Sequence, residues 1–297
     1  MDKPAVMQLK KDISKSRKDT AVRQTMRRLS KNKSAMFGAI LFGAIVIICV
    51  FAPVFAPYGP NDLDLTSINS FPTLKHPFGT DALGRDCMSR LIYGGRYSLA
   101  MGFAGSIVGI VGGTIGGCVA GYFSGRTDSV IMRLCDLVAA IPGQLLSIII
   151  SCALGSTFFN TVLALSVGGI PFQIRLLRAN VLRARQEEYI EAAQAYNCGP
   201  IRIMFRHLMP NTISPLLINF TMGIGGTIMG AAGLSFIGLG VQPPTPEWGA
   251  MLSAGQNYIR QYPHLIIFPG LVIMVTVFAV NLFGDGLRDA LDPKMKH

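Results

Sequence analysis

Five stretches of this chain contain no Asp, Glu, Lys or Arg: 34–61, 97–125, 137–174, 207–246 and 261–284. A helix needs about 20 mostly apolar residues to cross a bilayer, and every one of these runs is long enough. The 137–174 run is too long for one crossing and carries Gly155, Ser156, Thr157 and Asn160 midway, so it predicts a hairpin of two. Six spans result, near 36–56, 97–122, 130–153, 158–176, 213–240 and 263–285. Met36–Ala56 has full span length and follows a long basic stretch, which reads as a retained helix and not a cleavable leader.

Between the fourth and fifth spans lies a polar, charged segment, Gln186 to Asn211 (QEEYIEAAQAYNCGPIRIMFRHLMPN). Tyr189, Ala192, Ala193 and Tyr196 fall at i, i+3, i+4 and i+7, one face of a helix. Asn197 and Gly199 then stop it, because both tolerate the left-handed backbone that ends helices. Pro200 suits the first position of a second helix, where its missing N–H costs nothing. Ile201, Met204, Phe205 and Leu208 repeat the spacing up to Pro210. The segment predicts helix, sharp turn and helix. It either lies on the headgroups as a connector or presents a short helix to something outside the lipid.

Composition agrees: half of the 297 residues are hydrophobic and only 14% are charged, low for a soluble domain. A net charge of +11 raises the question of nucleic acid, but the basic residues cluster between long uncharged runs, which argues against it. Instead they set orientation. The N-terminal tail, Arg126 and Arg133, the 175–206 loop and the C-terminus together hold 22 Lys/Arg, against five on the other side. Both termini and the polar loop are therefore expected to be cytoplasmic. The chain divides into a basic tail (1–33), a first span with an external segment (34–96), a core of five spans (97–290) and a short tail (291–297). The basic tail is either held on anionic lipid or a topology signal without structure. Of six cysteines (49, 87, 118, 135, 152 and 198), only Cys87 is placed outside, so no disulfide framework is expected.

Within the spans, Gly105, Gly109, Gly113, Gly117 and Gly121, with Gly125 beyond, recur every four residues. Such a stripe lets membrane helices approach closely, and it drifts slowly around the helix, which suits a crossing partner. That partner is another helix of this chain, a helix of a second chain or a polar path. Arg133 and Asp136 are three apart and expected to pair. Gln144, Ser147 and Ser151 line a polar path or serve helix packing. The fifth span, with Pro215, Asn219, Thr221 and many glycines, is expected to face protein or a water-filled cavity. After it, Trp248 is expected at interface depth. Outside, 58–96 predicts turns and a short helix near 85–93, with His76 and Asp81 in a structural turn. The last span is expected to end in Gly284-Asp285-Gly286-Leu287-Arg288-Asp289, on the cytoplasmic side.

Motif chemistry is missing. No Gly-x-x-x-x-Gly-Lys-[Ser/Thr], His-Glu-x-x-His, Cys-x-x-Cys or Gly-x-Ser-x-Gly occurs, so no ATP, metal or other cofactor is expected in this chain. Asp285 has no second aspartate at membrane depth in another span to make a protease pair. An intramembrane enzyme is therefore poorly supported. An ion-coupled carrier lacks buried carboxylates and an inverted repeat.

Several strings carry a family resemblance. Glu191-Ala192-Ala193, a turn residue six places after the Glu, and Met209-Pro210 resemble the EAA loop of ABC importer permeases. HPFGTDALGRD with SRLIYGGRYSL (76–99), LSFIGLGVQPPTPEWG (234–249), Asp128-x-x-x-Met132-Arg133-x-x-Asp136 before Pro142, and Gly284-Asp285-Gly286-Leu287-Arg288-Asp289 are similar to the C-type subunit of the oligopeptide, dipeptide and nickel group. The resemblance covers about residues 30–290. It implies an all-α membrane protein with six transmembrane helices and the type I importer fold, in a bacterial or archaeal plasma membrane. Implied partners are a homologous second permease, two ATPase subunits that bind the ATP, and an extracytoplasmic solute-binding protein. It further implies that Glu188, Tyr189, Glu191, Ala192, Ala193, Asn197 and Gly199 couple to the ATPase, with Arg133, Asp136 and Pro142 near the gate. Asn197 stands where the family usually has Gly. Relatives handle dipeptides, oligopeptides, nickel chelates, haem and glutathione, and the sequence leaves the cargo open.

Overall fold

In a computed structural model, residues 21–291 are described, and among them the chain is helical with one isolated β-bridge, Thr80 to Asp86. Most of the basic tail and the residues after Leu291 lie outside the described residues. The part of the tail that is described is no unstructured signal: Ala21–Leu29 forms helix α1, whose Leu29 packs on Ala35 and Ala290. Asn32 then caps α2 (Lys33–Val50) by accepting from the Ala35 N–H.

The centre of the bundle is α3, Cys87–Phe123. At 37 residues it is about 55 Å long, well beyond the hydrocarbon thickness. The short external helix expected near 85–93 is not separate; it is the first turns of α3. The cause is local: Asp86 caps α3 through Ser89 N–H and Ser89 Oγ, both at 2.7 Å, and also receives His76 Nδ1 at 2.9 Å. His76 is buried against the Tyr58 ring, so the external segment is a folded cap, with Phe78 stacked on Phe268 at 4.2 Å.

The glycine stripe on α3 meets other helices of this chain. A Cβ on Gly105 would collide with Thr227, and at Gly113, Gly117 and Gly121 it would collide with Gln173, Leu177 and Val181. The stripe thus changes partner as it turns around α3, as its drift predicts.

The third and fourth spans are both broken. Gly125–Ala139 (α4) and Gly143–Leu154 (α5) meet at 84° within the span expected near 130–153. Pro142 is the cause: it lacks an N–H and pushes Ile141 out of helical backbone. Phe158–Val167 (α6) and Ile170–Ala184 (α7) meet at 49° across Gly168-Gly169, and Pro171 starts the second piece. The hairpin turn falls as expected, with Gly155 at φ +85° and Thr157 capping α6.

After the polar loop, which contains the short helix α8 (Glu188–Ala195), come α9 (Met209–Phe236), α10 (Trp248–Gly255) and α11 (His264–Leu291). Four helices, α2, α3, α9 and α11, are long and apolar enough to cross alone, and six spans result if each bent pair is one. Trp248 is fully buried within the protein, donating from Nε1 to the Leu91 carbonyl oxygen at 2.9 Å. The last helix runs through the expected Gly284–Asp289 stretch to Leu291, with Gly284 and Gly286 set close against Thr221 and Ala35.

Candidate functional site

The loop after α7 is built as its sequence suggests, but with a different face inside. α8 has Glu188 and Glu191 in its first turn, where the helix dipole favours anions. It ends at Asn197, which sits at φ +55°. The Asn197 N–H bonds to Gln194 O (2.9 Å) and the Cys198 N–H to Ala193 O (3.1 Å), a Schellman stop. Asn therefore makes the left-handed turn that Gly would make. Gly199 precedes Pro200, which starts the next helical turn.

The buried side of α8 is Ile190 and Ala193, set against Leu177, Val181, Ile203, Met204 and Leu208. Of the expected stripe only Ala193 faces inward; Tyr189, Ala192 and Tyr196 face out. The second expected stripe also splits. Ile203–Leu208 is π-helical, with the Met209 N–H reaching Met204 O. That winding turns Met204 and Leu208 inward and leaves Ile201 and Phe205 outside. The result is a two-faced loop. One face is anchored in the bundle. The other exposes Tyr196 at 86%, Ile201 at 70%, Phe205 at 53% and Tyr189 at 38%, rimmed by Glu188 and Glu191.

The helix that feeds this loop is pinned at its base. Arg178 donates Nε to Asp128 Oδ1 (2.5 Å) and Nη2 to Asp128 Oδ2 (2.6 Å). Arg175 reaches Asp136 at 2.9 Å. The expected Arg133–Asp136 pair does not form: Asp136 is taken by Arg175 and Arg133 is exposed. The cause is the close approach of α7, which brings a planar guanidinium where a helical neighbour would have to bend round. Arg185 donates to Tyr122 O and Ser124 Oγ, each at 2.9 Å, and lies over the Tyr122 ring. Sequence reading counted these three arginines only as charge. Their spacing against Asp128 and Asp136, eight apart on one helix, was the available signal.

Deeper, a cavity of about 490 Å³ lies between α5, the α6–α7 break and α9, lined by Gln144, Ser147, Gly168, Gly226, Met229 and Gly233. The Ser147 hydroxyl is already used, donating to Gly143 O and Ala164 O, so of the two polar side chains Gln144 is the one left to face the space. Pro142 sets the bend at its edge. Among the described residues no group of three His, Cys, Asp or Glu is placed to hold a metal. At the far end, buried Glu247 caps α10 and accepts from Ser98 Oγ at 2.9 Å, an interhelical tie the sequence reading missed.

Comparison with known proteins gives this architecture a family. Residues 113–297 match the family described as binding-protein-dependent transport system inner membrane component. Residues 20–77 match the N-terminal TM domain of oligopeptide transport permease C. The glutathione transport system permease protein GsiD of Escherichia coli O6:K15:H31 (strain 536 / UPEC) is 45% identical over 271 residues, covering 91% of this chain and 89% of that protein. The protein of the same name from Shigella boydii serotype 4 (strain Sb227) gives the same values. Among solved structures, an inward-facing MetNI methionine ABC transporter aligns with a TM-score of 0.55 at 19% identity, over 69% of this chain and 98% of that one, a likeness of fold. The chain therefore belongs to the binding-protein-dependent transport system inner membrane component family, and it is a transmembrane permease of an ABC importer.

Proposed function

We propose that this chain forms half of the translocation path of an ATP-driven importer of peptides or related small solutes, and that the Glu188–Gly199 loop receives the motion of a separate ATPase subunit. The observation that carries the reading is the two-faced loop. Its inner face is part of the protein's own core, while its outer face leaves four large apolar side chains uncovered. Exposed apolar patches of this kind mark partner surfaces. Glu188, Tyr189, Glu191, Ala192 and Asn197 lie on or beside the outer face and bear on the partner, and Ala193 anchors the helix beneath them. The chain binds no nucleotide itself. It works with a homologous permease and two ATPase subunits, fed by an extracytoplasmic solute-binding protein, in the inner membrane with both termini and the loop cytoplasmic. The cavity beside Gln144 is this chain's share of the path, with Pro142 next to its Gly143 wall. The relatives' named glutathione transport favours a small peptide-like cargo.

Reconstitution in proteoliposomes tests this. Uptake of glutathione or a dipeptide should require ATP, both permeases, the ATPase and the binding protein, and this chain alone should move nothing. ATP-independent uptake by the chain alone would refute it. A reporter fused within 186–206 should read cytoplasmic.

A further inference from the structure

We propose that α4 and α7 form one rigid arm clamped by Asp128 and Arg178, and that this arm turns on the contact between Gly143 and Gly168 to move the walls of the cavity. The proposal rests on the reading that the loop receives the ATPase motion.

The arm is defined by where α7 is tied. Arg175, Arg178 and Arg185 cover ten residues of helix and its end, about 15 Å, and all three hold the Tyr122–Asp136 stretch. They are not equal. Arg175 and Asp136 are both about half exposed, with side-chain accessibilities of 47% and 60%, so water screens that pair. Arg178 and Asp128 are at 31% and 17% and meet through two parallel bonds, the geometry that fixes orientation as well as distance. Below them α7 leads within a few residues into α8.

Above them both helices end at a bend, and the two bends touch. A Cβ on Gly168 would stand 3.2 Å from Gly143 Cα, so backbone meets backbone there with no side chain between. Past this point α5 and α6 are themselves joined, by Ser147 Oγ to Ala164 O at 2.8 Å and Asn160 Nδ2 to Leu154 O at 2.6 Å. Two tied pairs of helices thus meet at one glycine contact that lies in the cavity wall. The side of α7 that faces α3 lies close along Gly113, Gly117 and Gly121, with Cys118 and Tyr122 of α3 packed in the same cluster as Leu177 and Val181 at its lower end. Displacing the loop therefore tilts α4 with α7, and the change of angle appears at Gly143 and Gly168. Arg178 and Asp128 are positioning residues in this scheme.

The test uses the reconstituted importer and reads solute moved per ATP hydrolysed. Asp128→Arg and Arg178→Asp should each keep ATP hydrolysis while that ratio falls about tenfold, the factor expected for an interaction of about 1.4 kcal/mol. The double exchange, Asp128→Arg with Arg178→Asp, should restore most of it. Asp128→Asn, which keeps the side chain's shape and is the gentler change, should give an intermediate ratio. Wild-type ratios in the single variants, or a parallel loss of hydrolysis and uptake that the exchange does not rescue, would overturn the arm. If the charge reversals fail to assemble, a wild-type ratio in Asp128→Asn overturns it alone. Glu191→Lys in the same preparation separates the two ideas. Uncoupling there with intact clamp variants refutes only the arm, whereas a coupled Glu191→Lys refutes the reading beneath it.

Discussion

Adding one methyl group to Gly113 places a carbon 2.2 Å from Gln173 Cβ and 3.2 Å from the Gln173 carbonyl carbon. Non-bonded carbons rest about 3.5–4 Å apart, so α3 and α7 must part by more than about 1 Å at this level. Rotamer change cannot relieve the clash, because Cβ has no rotamer and the next atoms are backbone. The stripe continues at Gly117, with Leu177 Cβ at 2.8 Å and Ile174 O at 2.9 Å, so parting the helices at 113 also loosens contacts below. Overpacking of this kind costs about 1–3 kcal/mol. The same stripe carries its own control: a Cβ on Gly109 meets nothing within 4 Å. Gly113→Ala should lower the thermal midpoint of the detergent-purified complex and reduce uptake, while Gly109→Ala leaves both near wild type. Equal behaviour of the two variants, in either direction, would refute the claim that α7 lies directly on this stripe.

Other predictions follow from single sites. Asn197 is at φ +55°, so Asn197→Gly should keep uptake, whereas Asn197→Val should cost about 1–2 kcal/mol and weaken ATPase binding in a pull-down. Trp248→Phe removes the bond to Leu91 O and leaves a void in a fully buried site, for a loss of about 2–3 kcal/mol seen in the melting curve. In the external segment, the 2.6 Å hydrogen bond from Lys75 holds the Asp64 carboxyl below the usual carboxylate range, and Lys75 is raised in return. Asp64 then stabilises above its unfolded value of about 3.9 and loses that as pH falls through its lower folded value, while Lys75 loses its share only above about 10.4. Protease resistance of the segment should be flat from about pH 5 to 9 and decline at the acid end; a decline within that range would contradict the pairing.

What the sequence made legible was what periodicity and charge encode. The charge-free runs located the spans, and Asn197-Cys198-Gly199-Pro200 marked the turn, because both signals are local. The faces of the loop were not legible in the same way. Ala193 belongs to two possible stripes, and only the arrival of Leu177 and Val181 from α7 decides that Ile190, and not the tyrosines, goes inside. The π-helical winding at Ile203–Leu208 then shifts the register that a 3.6 period assumes. Asp136 shows the same limit. Arg133 was its nearest cation in sequence, yet Arg175 on another helix is nearer in space. Trp248 was read for depth alone, and its burial and the bond from its N–H to Leu91 depend on α3, a distant helix. The fold was readable wherever a residue's partner lay within a turn or two, and the site was not wherever the partner came from a distant helix.

The measurement that bears most directly on the account is uptake and ATP hydrolysis by proteoliposomes carrying Glu191→Lys with all partner subunits present. Glu191 is exposed in the first turn of α8, away from the loop's buried face, so the variant should insert like wild type and melt only slightly below it. Its uptake should collapse while membrane insertion is unchanged. Uptake at the wild-type rate would show that the power stroke enters this permease somewhere else.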